Sequence, residues 1–104
     1  MANFKSVVVP AIGTTKTTVL TASRPLTIIG VSAANVIASS ITVSVTISKG
    51  ATVGHIIKNA PISAGDTLLL AGGEQKIVLE TGDVLEVISS AASSVDVIVN
   101  YLEV

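Results

Sequence analysis

Few side chains of this 104-residue sequence can hold a metal or move a proton: one histidine, seven carboxylates and no cysteine. The histidine, His55, lies in Val53-Gly-His-Ile-Ile57. In a regular strand it shares a face with Val53 and Ile57 and opposes Ile56. Its chemistry would be a pH-sensitive contact or one ligand of a metal. A metal site needs several converging ligands, and none stands at a recognisable spacing from His55. The plain reading is a strand residue at the surface or in an interface.

The acids are Asp66, Glu74, Glu80, Asp83, Glu86, Asp96 and Glu103. Asp66 and Asp83 each follow a glycine, where aspartate commonly bonds its own backbone in a turn. A calcium loop would need a denser run of oxygen ligands. Glu80 and Glu86 flank Thr81-Gly-Asp83 and would approach each other across a hairpin. Two-carboxylate glycoside hydrolysis also needs a cleft lined with binding groups. With aromatic residues at 2%, a sugar cleft is not expected.

The remaining motifs fail on spacing. Gly13-Thr-Thr-Lys16 and Ala71-Gly-Gly-Glu74 lack the G-x-x-x-x-G-K-[ST] spacing and the helix of a phosphate loop. No G-x-S-x-G elbow occurs among the serines. Arg24, the lone arginine, stands before a strand in Ser23-Arg-Pro25. It is a solvated loop charge or, as arginine often is, an interface anchor. No catalytic, cofactor-binding or metal-binding residue is assigned, and the chain is not expected to be an enzyme or to carry a cofactor.

The elements around these residues are strands. In Ile41-Thr-Val-Ser-Val-Thr-Ile47, apolar and hydroxyl residues alternate without a fault. That is a half-buried antiparallel strand with one wet face. In Val95-Asp-Val-Ile-Val-Asn-Tyr-Leu102, Val95, Val97, Val99 and Tyr101 share one face. Asp96 and Asn100 mark the other, together with Ile98 and Leu102. A strand apolar on both faces is expected to be covered by a second sheet or a second subunit. Further strands are expected near 4–9, 17–22, 26–34, 53–58, 67–71, 75–80 and 84–90, with Val31 to Ser39 as a strand followed by a loop. Gly-containing turns at 12–15, 48–50, 64–66, 71–74 and 81–83 separate them, and Pro10, Pro25 and Pro61 are placed at strand boundaries. Pro61-Ile-Ser-Ala-Gly-Asp-Thr-Leu68 and Leu79-Glu-Thr-Gly-Asp-Val-Leu85 echo each other as two similar turns. The expected fold is one all-β domain over 1–104, an antiparallel sandwich (jelly-roll or Ig-like) of about eight to nine short strands.

Composition narrows the function classes. Hydrophobic residues make up 49% and charged residues 12%, against about 25% charged in an ordinary domain. Disorder needs the opposite balance. So little charge leaves a surface of Ser, Thr, Gly, Ala and Val, which suits cover by another subunit. A net charge of −1 and scarce aromatics argue against nucleic acid. Ser6-Val-Val-Val-Pro10 is too short for a signal peptide, and no stretch approaches the ~18 apolar residues of a membrane helix. The chain is expected to be soluble and unprocessed, with neither nucleic acid nor membrane as a partner.

The order of the segments resembles small virion structural proteins of tailed bacteriophages, including those of cyanophages and related aquatic phages. The resemblance runs from Thr14-Thr-Lys-Thr-Thr-Val-Leu-Thr21 and Leu26-Thr-Ile-Ile-Gly-Val-Ser-Ala-Ala-Asn35 through Ile57-Lys-Asn-Ala-Pro-Ile62 and Lys76-Ile-Val-Leu-Glu-Thr-Gly-Asp83. It ends in Ser89-Ser-Ala-Ala-Ser-Ser-Val-Asp-Val-Ile-Val99. Each motif is generic, and their order carries the likeness over nearly the whole chain. It implies a small β-sandwich on a particle, made in the host cytoplasm and placed on the capsid surface. The implied role is a head decoration or cement protein that forms a homo-oligomer, with a trimer favoured, and binds the major capsid protein or another virion protein. Alternatives are a tail, neck or baseplate/fibre module, and a small ligand- or carbohydrate-binding module. Phe4 to Val9 and Val95 to Val104 are the expected contact elements, pairing within the sandwich or across subunits.

Overall fold

The computed structural model describes residues 3–70 and 76–103. Nine strands and no helix occur among them: β1 (Asn3–Ile12), β2 (Thr17–Thr21), β3 (Leu26–Asn35), β4 (Ile41–Lys49), β5 (Thr52–Ile62), β6 (Thr67–Leu70), β7 (Ile77–Leu79), β8 (Val84–Ser89) and β9 (Val95–Glu103). All nine expected strands are present. The alternation read in β9 is the alternation observed; in β4 the valines face the core as expected, but Ser44 and Thr46 on the expected wet face are buried as well. Val43, Val45, Val97 and Val99 are fully buried, while Thr42, Ile98 and Asn100 point away from the core. The loop expected after Ala34 begins after Asn35.

Two antiparallel sheets form the sandwich. The first runs β1-β9-β3-β6, with β7 also pairing β3; the second runs β2-β8-β4-β5. β6 meets the second half of β3 (Val31–Ala34) and β7 the first half (Leu26–Ile28), so together they form one interrupted edge strand. Counting them as one, first pairs with last, second with next to last, and so on inward to the β4–β5 hairpin. That nested pairing is a long hairpin rolled onto itself, which is the jelly-roll rather than the Ig-like arrangement.

The core between the sheets is aliphatic. Ile28, Leu79, Leu85, Val87 and the valines of β4 and β9 show no exposure. Such β-branched side chains suit a pleated surface and have few rotamers to lose.

The echoed Gly-Asp turns have one job. Each carries the chain between sheets, from β5 to β6 and from β7 to β8. In each, the aspartate N–H donates three residues back, Asp66 to the Ser63 carbonyl and Asp83 to the Glu80 carbonyl, both at 3.0 Å. Gly65 (φ 77°) and Gly82 (φ 94°) occupy the position where a type II turn demands positive φ.

Two expectations are corrected here and one open alternative is decided. Pro10 and Pro61 lie inside β1 and β5 rather than at boundaries. Both strands are sheet edges, where a missing N–H leaves no ladder bond unmade. Of the two pairings expected for the terminal segments, the one within the sandwich is present: β9 lies between β1 and β3. His55 and Ile57 do not share a face. Ile57 pairs Val45 and His55 pairs the very next residue, Thr46, so Ile56 is an extra residue in a bulge that reverses the alternation.

Candidate assembly surface

Among the described residues, the side chains named from the sequence do not gather at one place. His55 is exposed on the edge strand β5. No group of three or more His, Cys, Asp or Glu that could hold a metal occurs among the described residues. Glu80 and Glu86 are not the two arms of a hairpin, because β7 and β8 belong to different sheets. Glu80 lies 3.0 Å from the Lys49 ammonium. Glu86 accepts from the Ser48 hydroxyl at 2.7 Å and lies 3.7 Å from Lys16. Arg24 is exposed in the bend between β2 and β3. Glu74 and the turn at 71–74 lie outside the described residues.

The other acids hold the fold. The Asp83 carboxylate accepts from the Lys49 ammonium and from the Glu80 N–H, the latter at 2.8 Å. These two donors, the ammonium first, hold its pKa below the ordinary 3.8. Asp96 accepts from the Ala11 N–H at 2.9 Å and so steadies the bulge of β1, where Ala11 has φ 57°. Glu103 is largely buried and lies 2.6 Å from the Lys5 ammonium, whose pKa it raises above 10.5 by that hydrogen bond and by its charge. Gly13, first residue of the supposed phosphate cradle, is instead a point of close approach. A Cβ there would stand 3.1 Å from the Ser93 nitrogen and 3.2 Å from the Ala92 Cα.

Sequence reasoning missed the polar pins. Asn35 is buried, and Ser44, Ser89 and Ser94 are buried with bonded hydroxyls. Nothing in the local sequence separates these from the many exposed serines.

The two outer faces of the sandwich differ. Register places Thr18, Glu86, Thr46 and His55 in one row across the second sheet, with Ser44 and Ser48 beside it. That face is hydroxyl-rich and carries charge. Across the first sheet, Val8, Ile98, Ser32 and Leu69 form one outward row. Phe4, Leu102, Thr27 and Val78 form another. Phe4 is 78% exposed and Leu69 77%, so these rows are uncovered in the single chain. Among the described residues, the exposed large apolar side chains off this face are Val36 and Val53. The apolar second face read in β9 is therefore real, and the partner sheet does not cover it.

The sequence matches no family model and no curated protein. Its fold is similar to a chain in the structure of infectious bursal disease virus strain Gx, with a TM-score of 0.53 at 15% identity over 96% of this chain. This chain spans about a third of that viral chain (32%). It is also similar to a subunit of the Bacillus endospore appendages, described as disulfide-linked pili. There the TM-score is 0.53 at 10% identity, over 98% of this chain and 87% of that one. At these identities the shared property is the jelly-roll sandwich.

Proposed function

We propose that this chain is a repeated structural subunit of a virion, a head decoration or cement protein of a tailed phage. The observation that carries this is the outer face of the first sheet, where Phe4, Val8, Leu69, Val78 and Ile98 stand exposed in the single chain. A face of that kind is a surface for packing against protein. The fold's use in a virus and in a pilus supports an assembly role. The pilus subunits are disulfide-linked, whereas this sequence has no cysteine, which favours the particle over a filament of that type. The near-complete overlap with an appendage subunit favours a tail, neck or baseplate/fibre part as the second reading.

On the shell the chain would associate as a homo-oligomer, a trimer being the favoured count, against the major capsid protein. Apolar burial would drive the contact, so binding to purified heads should change little with salt. Release at moderate salt would refute this mechanism. The location is tested by a density map of intact particles. Repeated density of this jelly roll on the head supports decoration. The same density in the tail establishes the second reading, and a particle without it overturns both.

A further inference from the structure

We propose that the outer face of the β1-β9-β3-β6 sheet is the contact between two copies of this chain, packed face to face about a two-fold axis. The proposal rests on the structural-subunit reading, names the surface and its occupant, and sets a two-fold pair in place of the lone trimer of that reading. Four features argue for a second copy.

The first is area. Four strands at about 4.8 Å spacing and about nine residues at about 3.3 Å rise present roughly 600 Å². Two such faces bury roughly 1,200 Å², above the ~1,000 Å² that a specific interface needs.

The second is charge. A two-fold contact sets each patch against its own copy, so charged side chains would meet their like. Among the described residues of the outward rows within the strands only Asp96 is charged, while exposed Lys76 and Glu80 flank β7. Asp96 stands at one end, with its carboxylate engaged by the Ala11 N–H. Lys5 is turned to Glu103.

The third is shape. Between the two apolar rows lie Ser6, Asn100 and Gly30, where the glycine leaves a gap in the row. Phe4, Lys5, Ser6, Ile29 and Asn100 line a depression of about 360 Å³ there. Each copy thus offers a knob, Phe4, and a hollow beside it. In the pair, Phe4 of one copy enters the hollow of the other.

The fourth is the contrast with the other face. There the hydroxyls of Thr46 and Ser48 are already bonded to Glu86 within the chain, and the row carries charge.

The test is the mass of the purified full-length chain by light scattering and sedimentation, for wild type, Ile98→Glu, Leu69→Glu and a control on the other sheet, His55→Glu. All three sites are exposed in the single chain, and far-ultraviolet circular dichroism with thermal melting reports whether each variant folds. The expected wild-type mass is an even multiple of 10.4 kDa. Ile98→Glu and Leu69→Glu should halve it, and His55→Glu should leave it unchanged. An odd-numbered wild-type oligomer overturns the pairing, as does a monomer or an even oligomer indifferent to both face variants. A monomer that binds isolated heads through this face, and loses binding in Ile98→Glu, puts the shell in the partner's place and also overturns it. These outcomes leave the structural-subunit reading standing, since that reading fails only on the particle map.

Discussion

The Asn35 side-chain amide donates to the Ile62 carbonyl at 3.0 Å, joining the end of β3 in the first sheet to the end of β5 in the second. The same amide donates to the Ser39 carbonyl at 2.8 Å, and its oxygen accepts from the Ile37 N–H at 3.0 Å. One buried side chain therefore fixes the loop after β3 and ties the two layers together.

Asn35→Ala should accordingly cost far more than a surface change. It removes three bonds, two part-buried and one to the buried Ile62 carbonyl, a loss of about 3 kcal/mol. For a domain of this size that lowers the melting temperature by about 15 °C. Asn35→Asp keeps the shape but cannot donate, so it should fall by at least as much. Urea unfolding measures both, and the denaturant slope should stay at the wild-type value.

The backbone at Ala11 makes an opposite prediction. Its φ of 57° is the left-handed region, where a Cβ costs about 1–2 kcal/mol. Ala11→Gly removes that cost and adds back part of it as chain entropy, for a net gain of about 0.5–1 kcal/mol. Gly13→Ala, two residues on, should lose about 1–3 kcal/mol, because the neighbours of the new Cβ are backbone atoms of Ala92 and Ser93 that cannot swing aside. Thermal melting of the two variants should move in opposite directions.

Acid should weaken the fold through Asp83. Its folded pKa lies below 3.8, so its contribution is fully present above that value. The contribution is lost as pH falls below 3.8 toward the lowered folded value. Lys49→Met removes the main cause of the shift. Urea midpoints followed from about pH 5 to about pH 2 should drop less steeply in Lys49→Met than in wild type.

These sites show where the sequence was legible. The strands of Ile41 to Ile47 and Val95 to Leu102 could be read because a two-residue period is a local property. Ile98 and Leu102 even exposed the uncovered face, since they are apolar where an outward residue should be polar. The facing of His55 and Ile57 could not be read. It depends on the extra residue Ile56 opposite the Val45–Thr46 step of β4, an offset set by pairing with a neighbouring strand and not by local spacing. Pro10 and Pro61 were misplaced for the same kind of reason. Whether a strand tolerates proline depends on its being an edge, and edge position is set by pairings far along the chain. The partners of Glu80 and Glu86 follow from the switch of sheets between β7 and β8, which no local spacing encodes.

The last prediction separates what folds this chain from what it does. Leu85 and Leu69 are the same side chain on opposite sides of the protein's surface. Leu85 has no exposure, facing the core from β8, whereas Leu69 is 77% exposed on β6. Leu85→Ala leaves a cavity among β-branched neighbours that have few alternative rotamers, and should cost about 3 kcal/mol. Leu69→Ala opens no cavity in the single chain, so its unfolding measured at high dilution should match wild type within about 0.5 kcal/mol. At high concentration the order of effects changes. If Leu69 is part of the contact between copies, Leu69→Ala weakens self-association and lowers the concentration-dependent part of the melting temperature. Melting curves over a dilution series read both quantities at once. A Leu69→Ala protein whose melting temperature tracks wild type at every concentration would place the contact elsewhere.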